Sequence, residues 1–162
     1  MVLGTIVRDT TLIVSTAKKM GWGVDMVGQA AAYDTAVAEA PGGAGEGFYS
    51  TSPSLYAYPD DPRPGVKELQ GRYRAAYGID MNYIGQAGYS AAQIAVEALR
   101  RAGRNLTVES LVTAMESLDD FVDVFGSHYS FSPTRHHGST KAYLSIVKGG
   151  KWVPVTDQAL GY

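Results

Sequence analysis

Along the first third of the chain the apolar positions change period repeatedly. Residues 1–6 form a short apolar run containing Val2, Leu3 and Ile6, which reads as a buried strand. Leu12, Ile13, Thr16, Ala17 and Met20 then recur at helical spacing. Asp9 or Thr10 is the expected cap of that helix, Lys18 and Lys19 suit its last turn, and Gly21 stops it. Residues 25–28 read as a second strand, 35–40 as a weaker helix ended by Pro41-Gly42-Gly43, and 46–51 as a third strand. Strand and helix alternate, which predicts a parallel sheet covered by helices.

Residues 52–64 break this alternation. They hold Pro53, Pro59, Pro62 and Pro64 together with Asp60-Asp61. Proline removes amide donors and disfavours helix before it, so the segment reads as a linker or a surface loop. Helical periodicity follows. Val66, Leu69, Tyr73 and Ala76 share one face, closed by Gly78. Ser90 with Gln93 predicts a capping box, and Ala91, Ile94, Ala95, Ala98, Leu99 and Ala102 mark the packing face of the longest helix. Thr107 opens a third helix bearing Leu111, Ala114, Met115 and Leu118. The chain then returns to a period of two. Ala142, Leu144 and Ile146 alternate with Tyr143, Ser145 and Val147, Gly149-Gly150 is a two-residue hairpin turn, and Trp152-Val153-Pro154-Val155 is the return strand.

Composition narrows the function classes. Fourteen Lys+Arg against 16 Asp+Glu give a net charge of -2, so no basic excess exists to neutralise nucleic-acid phosphates. Cysteine is absent, which removes disulfides, thiolate chemistry and Cys-ligated zinc. No apolar run reaches the length of a membrane-spanning helix. Residues 1–9 lack the basic segment and small-residue cleavage site of a secretory signal, so any export signal is expected outside this chain.

Candidate chemistry is sparse. His128, His136 and His137 lack the spacing of a zinc site and read as surface or turn residues. Asp60-Asp61 and Asp119-Asp120 read as solvated turn carboxylates. Gly85 and Gly88 precede a helix without a clear preceding strand, a weak phosphate signal. No acid, base and nucleophile set can be assembled in one cleft, so neither an enzyme nor a cofactor or metal is expected. Tyrosine is abundant, with 11 in the chain. Tyr33, Tyr56, Tyr58, Tyr83 and Tyr89 fall in loops or at element ends, where they either line a small-molecule cleft or lie scattered on the surface.

Several segments then matter by their order. They are Gly28, Gly42-Gly43-Ala44-Gly45-Glu46-Gly47-Phe48, Gly88-Tyr89-Ser90-Ala91-Ala92, Phe131-Ser132-Pro133 and the final hairpin. In this succession the chain resembles the carboxyl-terminal part of type I periplasmic solute-binding proteins, the leucine/isoleucine/valine-binding branch that serves ABC transporters. The resemblance implies an α/β fold, a parallel sheet flanked by helices, incomplete relative to a two-lobe family whose members are roughly twice as long. It implies residues 1–52 as a second-lobe α/β portion, 53–64 as a crossing linker, 65–134 as a helical portion of the first lobe, and 135–162 as the return strands of the second. It also implies a periplasmic location, a small-molecule solute gripped by closing lobes, and ABC permease subunits as partners. Missing strands would leave open sheet edges, for which a homodimer or domain-swapped dimer is one expected remedy.

The resemblance places ligand contacts in strand-to-helix turns. The matching residues are Thr5, Ile6, Val7 and Arg8, then Gln29, Ala30 and Ala31, then Tyr83, Ile84 and Gln86. Leucine-binding members carry a tyrosine where Ile6 stands and an ammonium-pairing glutamate where Ala30 stands. An ammonium buried without a carboxylate is costly. The expected solute is therefore a carboxylate or amide without an α-ammonium, such as an aromatic acid, with Arg8 either clamping its carboxylate or standing solvated at a helix start. A ligand-sensing regulatory domain on the same fold is the alternative reading.

Overall fold

The computed structural model describes residues 1–156 and 158–161, which divide into two compact units. Unit 1 comprises Met1–Tyr56 and Lys141–Tyr162, and unit 2 comprises Ala57–Thr140.

Unit 1 is built on a sheet. Its order is β1 (Val2–Leu3), β2 (Val27–Gly28), β3 (Tyr49–Ser52), β6 (Lys141–Lys148) and β7 (Lys151–Pro154). β1, β2 and β3 run parallel. β6 joins β3 antiparallel, with Tyr49 opposite Ile146 and Ser52 opposite Tyr143. The fold is thus the expected α/β sheet, with an antiparallel hairpin added to its parallel part. The hairpin turns on Gly149 and Gly150, whose φ values of 59° and 74° are the left-handed pair that such a turn needs. A further short strand, β8 (Leu160–Gly161), pairs with the start of β6.

Two α-helices cross between the parallel strands. α1 (Val7–Lys19) buries Thr10, Val14 and Ala17, and its Lys18 Nζ donates to the carbonyls of Gly42 and Gly43, both at 2.8 Å. The expected cap at Asp9 or Thr10 is corrected: the cap lies three to four residues earlier, at the extended Ile6, and Asp9 lies inside the first turn. The first strand is accordingly shorter than residues 1–6. α2 (Thr35–Ala38) is capped by Asp34, whose Oδ1 accepts from the Ala36 amide at 2.9 Å. The core includes Leu3, Met26, Val37, Phe48, Val147 and Trp152. Trp152 stacks at 4.7 Å on buried Tyr33 and donates its indole N–H to the Asp34 carbonyl at 2.9 Å.

Unit 2 is mainly helical. α3 (Pro64–Tyr77) starts on proline, where the missing amide costs nothing, and ends at Gly78 in the left-handed conformation. α4 (Tyr83–Ala102) is the longest helix, and α5 (Val108–Glu116) opens on the reciprocal Thr107–Ser110 capping box. A two-stranded hairpin, β4 (Phe121–Val122) with β5 (His128–Tyr129), follows. Ala57, Val66, Leu69, Met81 and Phe125 form the unit's core.

The capping box expected at Ser90 and Gln93 is overturned. The cap of α4 stands eight residues earlier, where Asn82 accepts the Gly85 amide at 2.9 Å. Ser90 is buried in mid-helix and donates to Asp123 Oδ2 at 2.5 Å, while Gln93 Oε1 accepts from the Val124 amide. Both side chains that read as a helix start instead fasten the helix to the loop that joins β4 to β5.

Candidate functional site

In open α/β sheets, ligands gather beyond the carboxyl ends of parallel strands, where the following turns converge. Unit 1 has three such ends side by side. The turn after β1 carries Thr5, Ile6, Val7 and Arg8, and the turn after β2 carries Gln29, Ala30 and Ala31. The structure brings these two groups together. Gln29 Nε2 reaches toward the Thr5 carbonyl at 3.5 Å, while its Oε1 accepts the Ala31 amide at 3.2 Å and so caps the single 3-10 turn of Ala30–Ala32. Thr5 Oγ1 lies 2.7 Å from Oγ1 of buried Thr10.

Buried Ser50 of β3 donates to the carbonyl of Gln29 at 3.1 Å. Ser50 thereby pins the second turn to the third strand. Its role was hidden in the sequence, where one serine in a short strand carries no signal of its partner. Thr10 was equally hidden, since it read as a possible cap.

The amino terminus of α1 opens on these turns. Ile6 offers no side-chain cap, so the first-turn amides of α1 are left to solvent or solute. Such an end favours an anion. Arg8 is exposed in the same turn, and Ile6 is 60% exposed. Position 30 carries only a methyl group. The arrangement can receive a carboxylate at the helix end and an apolar body against Ile6.

The remaining predicted site residues belong to unit 2. Ile84 is 57% exposed on the first turn of α4. Tyr83 and Gln86 are buried. Gln86 Oε1 accepts the Ala57 amide at 2.9 Å, so this amide side chain holds backbone. Tyr33, expected to line a cleft or lie on the surface, is buried in the core of unit 1.

The other titratable groups scatter. His128 Nδ1 meets Asp120 at 2.6 Å, and His136 sits 3.4 Å from Glu116. Arg63 pairs with Asp61, and its hydrogen bond holds that carboxyl below its ordinary value. Among the described residues, no group of three or more His, Asp or Glu is placed to hold a metal, and no helix is long and apolar enough to cross a membrane.

Comparison with known proteins bears on the family and the fold. No curated protein matches the chain. Solved structures do. A branched chain amino acid ABC transporter from Thermus thermophilus with bound valine superposes with a TM-score of 0.84 at 24% identity, covering 99% of this chain and 45% of that one. A fatty acid ABC transporter substrate-binding protein from Thermomonospora curvata gives 0.82 at 25% identity, over 99% and 43%. A solute binding protein of an R. palustris ABC transporter, in complex with benzoate, gives 0.76 at 21% identity, over 99% and 44%. The chain therefore spans less than half the length of these structural relatives. The family model described as periplasmic binding protein matches residues 1–151, and the chain belongs to that family.

Proposed function

We propose that this chain supplies solute-binding surface to an ABC importer, in the periplasm, and that its solute is a small carboxylate lacking an α-ammonium group. The observation that carries this reading is the junction of residues 5–8 and 29–31 around the uncapped start of α1. A carboxylate placed there meets backbone N–H groups, the positive end of a helix dipole and the Arg8 guanidinium. An ammonium there finds Ala30. Of the three unit 2 residues, Ile84 presents an exposed apolar side chain, whereas Gln86 is committed to Ala57. Two of the relatives named above are described with carboxylate solutes, a fatty acid and benzoate, which supports the same class. Delivery to permease subunits completes the proposed cycle.

Paired ligands test the claim. Benzoate and benzamide share their ring and differ in charge. Titration calorimetry is expected to show benzoate binding tighter than benzamide, with Arg8→Gln erasing most of that preference, about tenfold or more. Equal affinity for the two compounds, or a preference untouched by Arg8→Gln, contradicts the proposed carboxylate site.

A further inference from the structure

Two hydroxyls in the interior of unit 1 make their shortest hydrogen bonds to neighbouring turns and not to their own elements. Thr10, early in α1, and Ser50, in β3, are both 0% exposed. A buried hydroxyl is hydrogen-bonded, and the partner it takes is informative. A threonine inside a helix ordinarily bonds the carbonyl four residues back. Thr11 and Thr113 do so, at 2.8 Å to Val7 and 2.9 Å to Glu109. Thr10 departs from that pattern: its Oγ1 lies 2.7 Å from Oγ1 of Thr5, in the turn after β1. Ser50 reaches out of its strand in the same way. Its Oγ donates to the Gln29 carbonyl, in the turn after β2, at 3.1 Å, and is shared with the Gly28 carbonyl at 3.3 Å. Each hydroxyl holds one of the two turns.

The turns need such anchors. β1 and β2 share two paired positions, Val2 with Val27 and Leu3 with Gly28. Among the described residues their strand pairing ends there, and the turns that follow are held by side chains. Gln29 spans them, its Nε2 directed at the Thr5 carbonyl at 3.5 Å. The links run in series, from Ser50 to Gln29, from Gln29 to Thr5 and from Thr5 to Thr10. We propose that Thr10 and Ser50 are positioning residues of the solute site: each fixes one turn, and together they fix the gap between residues 5–8 and 29–31. The assignment rests on the solute reading above. Neither hydroxyl is exposed, so neither touches the solute, and each acts through the turn it holds. Turns fixed in advance cost less to order on binding, so a lost anchor is read as lost affinity.

Two substitutions at position 10 separate positioning from packing. Thr10→Val keeps the shape and removes the hydroxyl, whereas Thr10→Ser keeps the hydroxyl and removes a methyl group. Benzoate affinity by titration calorimetry and the thermal midpoint of the free chain are measured on each variant. Thr10→Val and Ser50→Ala are each expected to weaken benzoate binding about three- to tenfold. Thr10→Ser is expected to bind within about twofold of the parent, although the lost methyl lowers its midpoint. Val14→Ala, at a buried apolar position of the same helix, lowers the midpoint and leaves the affinity within about twofold. Affinities that fall in step with the midpoint, in Thr10→Ser and Val14→Ala as well, overturn the assignment and leave the solute reading standing. So does an affinity unmoved by either Thr10→Val or Ser50→Ala. No benzoate binding by the parent chain overturns the solute reading itself, and the assignment with it.

Discussion

Two glutamines grip one stretch of backbone in unit 2. Gln86 Oε1 accepts the Ala57 amide, and Gln70 Nε2 donates to the Ala57 carbonyl, both at 2.9 Å. Gln70 Oε1 also takes the Met81 amide at 3.2 Å. Ala57 is 1% exposed, so neither backbone group has water to fall back on. Gln86→Leu keeps the bulk but strands the Ala57 amide, and it is expected to cost about 1–3 kcal/mol in urea unfolding. An unchanged midpoint would show that the bond contributes nothing. Tyr129 offers a pH test. Burial, and then the charge of Asp123, push its phenol above the ordinary tyrosine value. The unfolded chain therefore ionises this phenol at lower pH than the folded chain does. Its contribution to stability is complete below the ordinary tyrosine range and is lost as pH rises through it. Thermal midpoints measured against pH should fall less steeply on the alkaline side in Tyr129→Phe than in the parent. Parallel alkaline limbs would contradict the shift.

At the scale of elements, α4 shows how a helix can carry a false start signal. Asn82 holds the real start, so Asn82→Ala is expected to cost about 1 kcal/mol through the lost cap. Ser90→Ala is expected to cost as much or more, because it removes a hydroxyl donor from buried Asp123. A loss for Ser90→Ala well below that for Asn82→Ala, in chemical denaturation, would restore Ser90 to a minor role. The segment after α2 is more severely constrained. A Cβ at Gly45 would lie 2.1 Å from the Val37 carbonyl oxygen, which is backbone and cannot swing away. Gly45→Ala is accordingly expected to destabilise unit 1 by about 1–3 kcal/mol or more. Which elements were legible follows from the range of the interactions that fix them. Gly78, Thr107 and Gly149-Gly150 were readable as a helix stop, a helix start and a hairpin turn because each involves neighbours only; the reciprocal partner of Thr107, Ser110, was not read. Ser90 misled because its partner, Asp123, lies 33 residues away and on another element. The β4–β5 hairpin left no trace because two-residue strands have no period to detect. At the proposed site, the turns 5–8 and 29–31 were singled out by the family resemblance. The Ser50 brace and the burial of Gln86 could not be, since both depend on contacts made across the fold.

On the scale of the whole molecule, unit 1 is discontinuous in sequence. The chain builds three parallel strands, passes through the 84 residues of unit 2 (57 through 140), and returns to lay β6 against β3. The return strand covers one edge of the parallel set with four paired positions. In the proposed reading sheet and turns divide the work: the hairpin supplies burial through Val147 and Trp152, and the turns offer amides, Arg8 and the apolar Ile6 to a solute. This division is what the solute reading depends on, and the ligand's charge is its most exposed assumption. Ligand that binds only the folded state raises the thermal midpoint in proportion to its affinity. The decisive measurement is a thermal-shift comparison of benzoate with leucine and valine at matched concentrations. The account predicts that benzoate raises the midpoint and the two amino acids do not. Stabilisation by leucine or valine without stabilisation by benzoate would contradict it.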